Sequence, residues 1–104
     1  MARLIWTEPA LSDLDAITEY IALDNPLAAS RFVEKVFDRI DRLEAYPQSG
    51  KRPSELSRTP YREVVVVPCR IFYRVEGENV YVLHVMRSEK LLRPHLLEER
   101  EQDR

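Results

Sequence analysis

Ile17-Thr18-Glu19-Tyr20-Ile21-Ala22-Leu23-Asp24-Asn25-Pro26-Leu27-Ala28-Ala29-Ser30-Arg31-Phe32-Val33 is the stretch on which the fold turns. Ile17, Ile21 and Ala22 before the Asn25-Pro26 pair, and Ala29, Phe32 and Val33 after it, recur at helical spacing. Asn25 is suited to cap the second helix. Pro26 suits its first position, where no backbone N–H is needed. Two amphipathic helices with so short a joint read as an antiparallel hairpin.

Upstream, Leu11 and Leu14 extend the first stripe. Thr7 is the expected N-cap, with Glu8 and Pro9 in the opening turn. Leu4-Ile5-Trp6 before it is a short strand-forming run. Downstream, Val36, Phe37, Ile40 and Leu43 carry the second stripe to Pro47, which stops it. Residues 46–60 contain three prolines and one of the two glycines, a loop of the length at which loops tend to be functional or mobile.

Three strand-like runs follow. Tyr61 to Val67 is nearly continuous in valine at its end, the pattern of a strand covered on both faces. Arg70 to Glu76 alternates. After a tight turn at Gly77-Glu78, Val80, Val82 and His84 alternate with Tyr81, Leu83 and Val85. The order strand, helix, helix, strand, strand, strand predicts an α+β fold, with the hairpin packed on a mostly antiparallel four-stranded sheet. Residues 1–93 form the single domain on this reading, and 94–104 a polar, solvated tail.

Composition narrows the function. With 44% hydrophobic and 33% charged residues in 104, the chain is an ordinary globule. No apolar run is long enough to span a membrane, and Met1 to Glu8 has no apolar leader, so a cytoplasmic, membrane-free protein is expected. One cysteine excludes an internal disulfide, and two glycines exclude a phosphate-cradling loop. Net charge is −2 overall, but residues 46–93 carry +4 against −4 in residues 1–45. That asymmetry points to an anionic partner for the later segment.

Few side chains suggest chemistry. Cys69 beside Pro68 reads as a small turn residue. His84 is either a general acid–base group or a strand residue with a satisfied ring, and His95 is expected to be exposed. The two histidines are too isolated to make a metal site. Asp13, Asp15, Glu19, Asp38 and Asp41 are assigned to solvated helix faces. The arginines are more informative: Arg62, Arg70, Arg74 and Arg87 lie on or beside the late strands, with Arg58 and Lys90 flanking and Tyr61, Tyr73 and Tyr81 interleaved. Their planar forks suit phosphate and carboxylate alike. Pairing with Glu55, Glu63, Glu76 and Glu78 is the alternative.

Several segments together resemble the RelE/ParE superfamily of toxins from type II toxin–antitoxin modules. They are Trp6-Thr7-Glu8-Pro9-Ala10 with Asp13-Leu14 and Ile17, Pro26…Ala29 with Phe32-Val33, and Leu43…Pro47…Gly50. Tyr61-Arg62, Arg70 to Val75 and Val80 to Arg87 complete the set. The resemblance covers residues 3–90 and implies the same β-α-α-β-β-β fold. It also implies one of two activities. RelE-like members cut mRNA on the ribosome with a basic set matched here by Arg62, Arg70 and Arg87. The second basic residue of that pattern is replaced by Val64, and its late proton-handling residue falls among Leu91 and Leu92. The endonuclease alternative then needs His84 on the same sheet face as Arg70.

ParE-like members poison DNA gyrase without chemistry of their own, and the departures favour that branch. The resemblance therefore implies a gyrase-binding toxin with no catalytic residue, cofactor or metal. Arg58, Arg62, Arg70, Tyr73, Arg74, Arg87 and Lys90 are the expected contacts to target or antitoxin. A ParD-like antitoxin is the implied partner, with operator DNA met only through their complex.

Overall fold

The computed structural model describes residues 1–102. Strand β1 (Arg3–Trp6) leads into helices α1 (Glu8–Asp24) and α2 (Pro26–Asp41). Strands β2 (Tyr61–Val66), β3 (Cys69–Glu76) and β4 (Asn79–Arg87) follow, and helix α3 (Leu96–Gln102) closes the described chain. The sheet order is β1-β4-β3-β2, with β1 parallel to β4 and the other pairs antiparallel.

The hairpin forms for the reasons its sequence suggests. Thr7 Oγ1 accepts from Ala10 N–H and donates to the Val82 carbonyl at 2.7 Å, so one hydroxyl caps α1 and ties it to the sheet. Asn25 Oδ1 accepts from Ala28 N–H at 3.1 Å, with Pro26 opening α2. Leu14, Phe32, Val36 and Ile40 then pack on Val64, Ile71, Tyr73, Val80, Val82 and Val85 of the sheet.

A bulge decides what the other face carries. Phe72 pairs with His84 but Tyr73 pairs with Val82, leaving Leu83 as an extra residue in β4. Simple alternation groups His84 with Val80 and Val82. Instead Val85 joins Val80 and Val82 under the helices, while Leu83 and Met86 pack on the outer face with Tyr61 and Phe72. The His84 ring stacks on Phe72 at 5.9 Å, and the Arg70 guanidinium lies 4.9 Å from the centre of the same Phe72 ring. Arg70, Phe72 and His84 thus share the outer face.

Two expectations are corrected. β2 is an edge strand covered on both faces only in its first half: Tyr61 and Glu63 are buried on the outer face and Val64 and Val66 on the inner, but Val65 is 48% exposed. The tail is not simply solvated. Leu96–Gln102 form α3, with Leu97 fully buried against the outer-face cluster and Leu92 buried before it. Asp103 and Arg104, the end of the expected tail, lie outside the described residues.

The 46–60 loop is anchored rather than free. Lys51 and Glu63 exchange backbone hydrogen bonds at 3.0 and 2.7 Å, and Ser54–Leu56 form a 3-10 turn.

Candidate interaction site

Four of the seven expected contact residues serve as fasteners of the fold. The Tyr73 ring is buried, its hydroxyl accepting from Gly50 N–H and donating to the Pro47 carbonyl, both at 2.8 Å. Arg62 donates to the Gly50 carbonyl at 2.8 Å. These bonds hold the loop to the sheet. Arg74 reaches Glu101 of α3 at 2.8 Å, and Tyr61 donates to the same carboxylate. The phenol of Tyr61 is pushed up to about 12 by burial and by Glu101.

Arg70 is the most heavily engaged. Its two terminal nitrogens each lie 2.8 Å from a Glu55 oxygen, and its Nε lies 2.8 Å from Glu63. Glu63 is only 3% exposed and also meets Lys51 at 3.5 Å. The hydrogen bonds from Arg70 hold the Glu55 carboxyl down at about 2. Pairing with Glu55 and Glu63, the alternative left open by the sequence, is what the structure contains, and Glu101 is an additional partner of the arginine set.

Arg58, Arg87 and Lys90 remain at the surface. Arg87 pairs with Glu89 at 2.6 Å and rests 5.7 Å from the centre of the Tyr20 ring. Arg87 and Lys90 border grooves of about 420 and 440 Å³ between α1 and the segment after β4; Arg58 lines neither. A further groove of about 370 Å³ lies between the α1–α2 joint and the β2–β3 turn.

His84 lies in the wall of the 420 Å³ groove, and its surroundings correct the reading of Asp13 as solvated. β1 ends opposite Val82, so the second half of β4 has no parallel neighbour. Asp13 from α1 and Arg100 from α3 occupy that place. Asp13 Oδ2 accepts from Val85 N–H at 3.1 Å and from Arg100 at 2.9 Å, and lies 2.8 Å from His84 Nδ1. Arg100 also donates to the Leu83 carbonyl at 2.8 Å. Burial opposes the charge on Asp13, but hydrogen bonds from His84, Arg100 and Val85 outweigh it and hold the carboxyl below its ordinary range. An ionised Asp13 can only accept, so Nδ1 carries a proton and donates it to the carboxylate. Among the described residues Nε2 has no hydrogen-bond partner.

Other chemistry is limited. Burial pushes the Cys69 thiol up to about 11, so it is not a thiolate near neutrality. Among the described residues no cluster of His, Cys, Asp or Glu is arranged to hold a metal ion. Among the described residues no helix is long and apolar enough to cross a membrane.

The chain matches the model of the ParE toxin of the type II toxin–antitoxin system parDE over residues 4–92. It is 36% identical to Toxin RelE2 of Caulobacter vibrioides across 88% of this chain and 100% of that one. It is 32% identical to Toxin ParE3 of the same organism, across 83% and 86%. A solved chain of the chromosomal ParDE toxin–antitoxin system from P. aeruginosa superposes with a TM-score of 0.71 at 31% identity, covering 86% of this chain and 98% of that one. With its β-α-α-β-β-β order and hairpin-on-sheet packing, the chain belongs to the ParE/RelE family and is a toxin of a type II toxin–antitoxin system.

Proposed function

We propose that this toxin poisons DNA gyrase as a binding protein in the cytoplasm, arresting growth, and that a ParD-like antitoxin encoded beside it neutralises it. The observation carrying the proposal is the state of Arg70. All three guanidinium nitrogens are committed to Glu55 and Glu63. A phosphate arriving there would meet two carboxylates before any free donor, so this arginine makes a poor clamp for a scissile phosphodiester. The positions where an endonuclease would carry its second basic residue and its late proton-handling group point the same way, since Val64 and Leu92 are core residues and Leu91 is aliphatic. Membership of a ParDE system in the P. aeruginosa relative supports the antitoxin partner, and operator DNA would be met through that complex.

A second reading, ribosome-dependent mRNA cleavage, draws on one observation. His84 shares the outer face with Arg70 and keeps Nε2 unbonded among the described residues. In that reading Arg62, Arg70, His84 and Arg87 would be the catalytic set, with His84 as the base oriented by Asp13. A supercoiling assay separates the two. Purified toxin is expected to inhibit gyrase and accumulate cleaved DNA, with translated mRNA left intact. Untouched gyrase together with mRNA cut on translating ribosomes would select the second reading.

A further inference from the structure

Around the sheet, Arg70, Arg74, Arg87 and Arg100 each hold a carboxylate. The cations of α2 do not. Arg31, Lys35 and Arg39, with Arg42 in the 3-10 turn that continues the helix, make no ion pair and no side-chain hydrogen bond among the described residues. Spacings of four, four and three residues place them on one flank, over about 17 Å of helix. Arg31, Lys35 and Arg42 are exposed and Arg39 partly so. Glu34, Asp38 and Asp41 keep to the adjoining flank and pair with none of the four.

The row follows the open edge of the sheet, where β2 is the last strand. Arg31 and Lys35 border the groove that holds Val67 and Pro68, just past the end of β2. Further along, Arg39 lies near the Tyr73 hydroxyl. Burial raises that phenol, while the bond from Gly50 and the charges of Arg62 and Arg39 lower it in part. The flank consists of these cations, with Ala28 at its start, because Phe32, Val36 and Ile40 face the sheet. A polypeptide partner is held by apolar anchors, which this flank lacks. A phosphate backbone asks only for positive charge within reach. A duplex carries one charge about every 1.7 Å along its axis, so a rigid row of about 17 Å meets phosphates in any register.

We infer that Arg31, Lys35, Arg39 and Arg42 grip the phosphate backbone of the duplex DNA that gyrase holds, so that the toxin docks on enzyme and DNA together. The inference rests on the gyrase reading above and assigns one surface of the toxin within it. The surrounding charge suits that arrangement. Residues 1–45 sum to −4, which opposes strong binding to DNA alone, whereas a local row of cations suffices once gyrase holds the duplex alongside.

The test measures binding of the full toxin to gyrase alone and to gyrase loaded with a DNA duplex, at several salt concentrations. Thermal melts confirm that each variant folds. Unaltered toxin is expected to bind the loaded enzyme at least about tenfold more tightly, an advantage that fades as salt rises. Arg31→Gln/Lys35→Gln/Arg39→Gln is expected to lose that advantage, to keep its affinity for gyrase alone, and to flatten the logarithmic salt slope by about 2–3. Arg3→Gln, on β1 at the opposite edge of the sheet, is expected to keep the advantage. Unaltered toxin that binds neither form of gyrase overturns the gyrase reading and the inference together. Unaltered toxin that binds both forms equally, or a triple variant that keeps the advantage, overturns the inference alone. Dimerisation of such a variant would then assign the row to guarding the exposed β2 edge. A triple variant that keeps the advantage on DNA but loses binding to ribosomes would assign the row to RNA and also overturn the inference.

Discussion

His84 Nδ1 and Asp13 Oδ2 lie 2.8 Å apart across 71 residues of chain, joining the first helix to the last strand where that strand has lost its parallel neighbour. Arg100 of α3 completes the junction through the same carboxylate. One side chain therefore couples three elements and satisfies the backbone N–H of Val85.

Asp13→Ala should accordingly cost about 2–4 kcal/mol, more than a surface carboxylate, because it strands a part-buried guanidinium, a ring N–H and a backbone N–H at once. Urea unfolding measures the loss. A change below about 0.5 kcal/mol, the range of ordinary surface substitutions, would mean that water replaces the carboxylate at no cost.

Arg70→Ala is expected to destabilise the fold before it affects any partner. It leaves Glu63, 3% exposed, with Lys51 alone as counter-ion among the described residues, and releases Glu55 from its bidentate contact. A loss of about 2–4 kcal/mol follows, and Arg70→Lys restores little of it because an ammonium cannot span both carboxylates. Arg87→Ala, which among the described residues loses one ion pair, to an exposed glutamate, should fall within about 1 kcal/mol of the unaltered chain. Thermal melts of the three variants decide between a scaffolding and a purely surface role for Arg70.

The helical stripes, both caps and the succession of strands and helices along the chain are legible in the sequence because each depends on residues within a few positions of one another. The bulge at Leu83 is not, since nothing in Val82-Leu83-His84-Val85 marks which residue is the extra one, and the face of His84 follows from it. Nor is the role of Asp13, whose partners lie 71 and 87 residues away while its neighbours Asp15 and Glu19 look the same on the helix. Helix α3 hides for a related reason: charged residues surround Leu96 and Leu97, and Leu97 is buried only because Tyr61, Phe72, Leu83 and Met86 leave an apolar face to cover. The arginines are legible as a cluster, but which of them carry spare donors depends on where Glu55, Glu63 and Glu101 fall in space.

Ending the chain at residue 93 should therefore not leave a self-sufficient domain. It removes the buried Leu97, the Arg100 bonds to Asp13 and Leu83, and the Glu101 contact to Arg74 and Tyr61. The truncated chain is expected to melt at a lower temperature and to bind a hydrophobic dye through the uncovered outer face. Leu97→Asp should reproduce the effect in the full chain. Equal melting of the full and shortened chains would show that α3 adds no stability.

Acid should weaken the protein through two carboxylates. Glu55 is held at about 2 against an ordinary 4.5, chiefly by Arg70, and Asp13 is also lowered. A carboxyl depressed in the folded state contributes stability that is fully present above its unfolded value and fades as pH falls toward the folded one. Denaturant midpoints should stay level from neutrality to about pH 5 and decline between about 4.5 and 2. Glu55→Gln should lower the plateau and make the decline shallower. A decline of unchanged steepness in that variant would assign the acid sensitivity to other groups.

Gly50 offers the sharpest steric test. A Cβ there would fall 2.5 Å from Tyr73 Oη and 2.8 Å from the Glu63 carbonyl, so the loop cannot keep both its bond to Tyr73 and its pairing beside Glu63. Gly50→Ala should cost about 2 kcal/mol or more through the displaced loop. Tyr73→Phe tests the hydrogen bonds without the clash, leaving Gly50 N–H and the Pro47 carbonyl unpaired for about 1–3 kcal/mol. The two substitutions act on one contact, so the double variant should lose clearly less than their sum. Full additivity in urea melts would show that the loop is held elsewhere, and that the phenol only fills space.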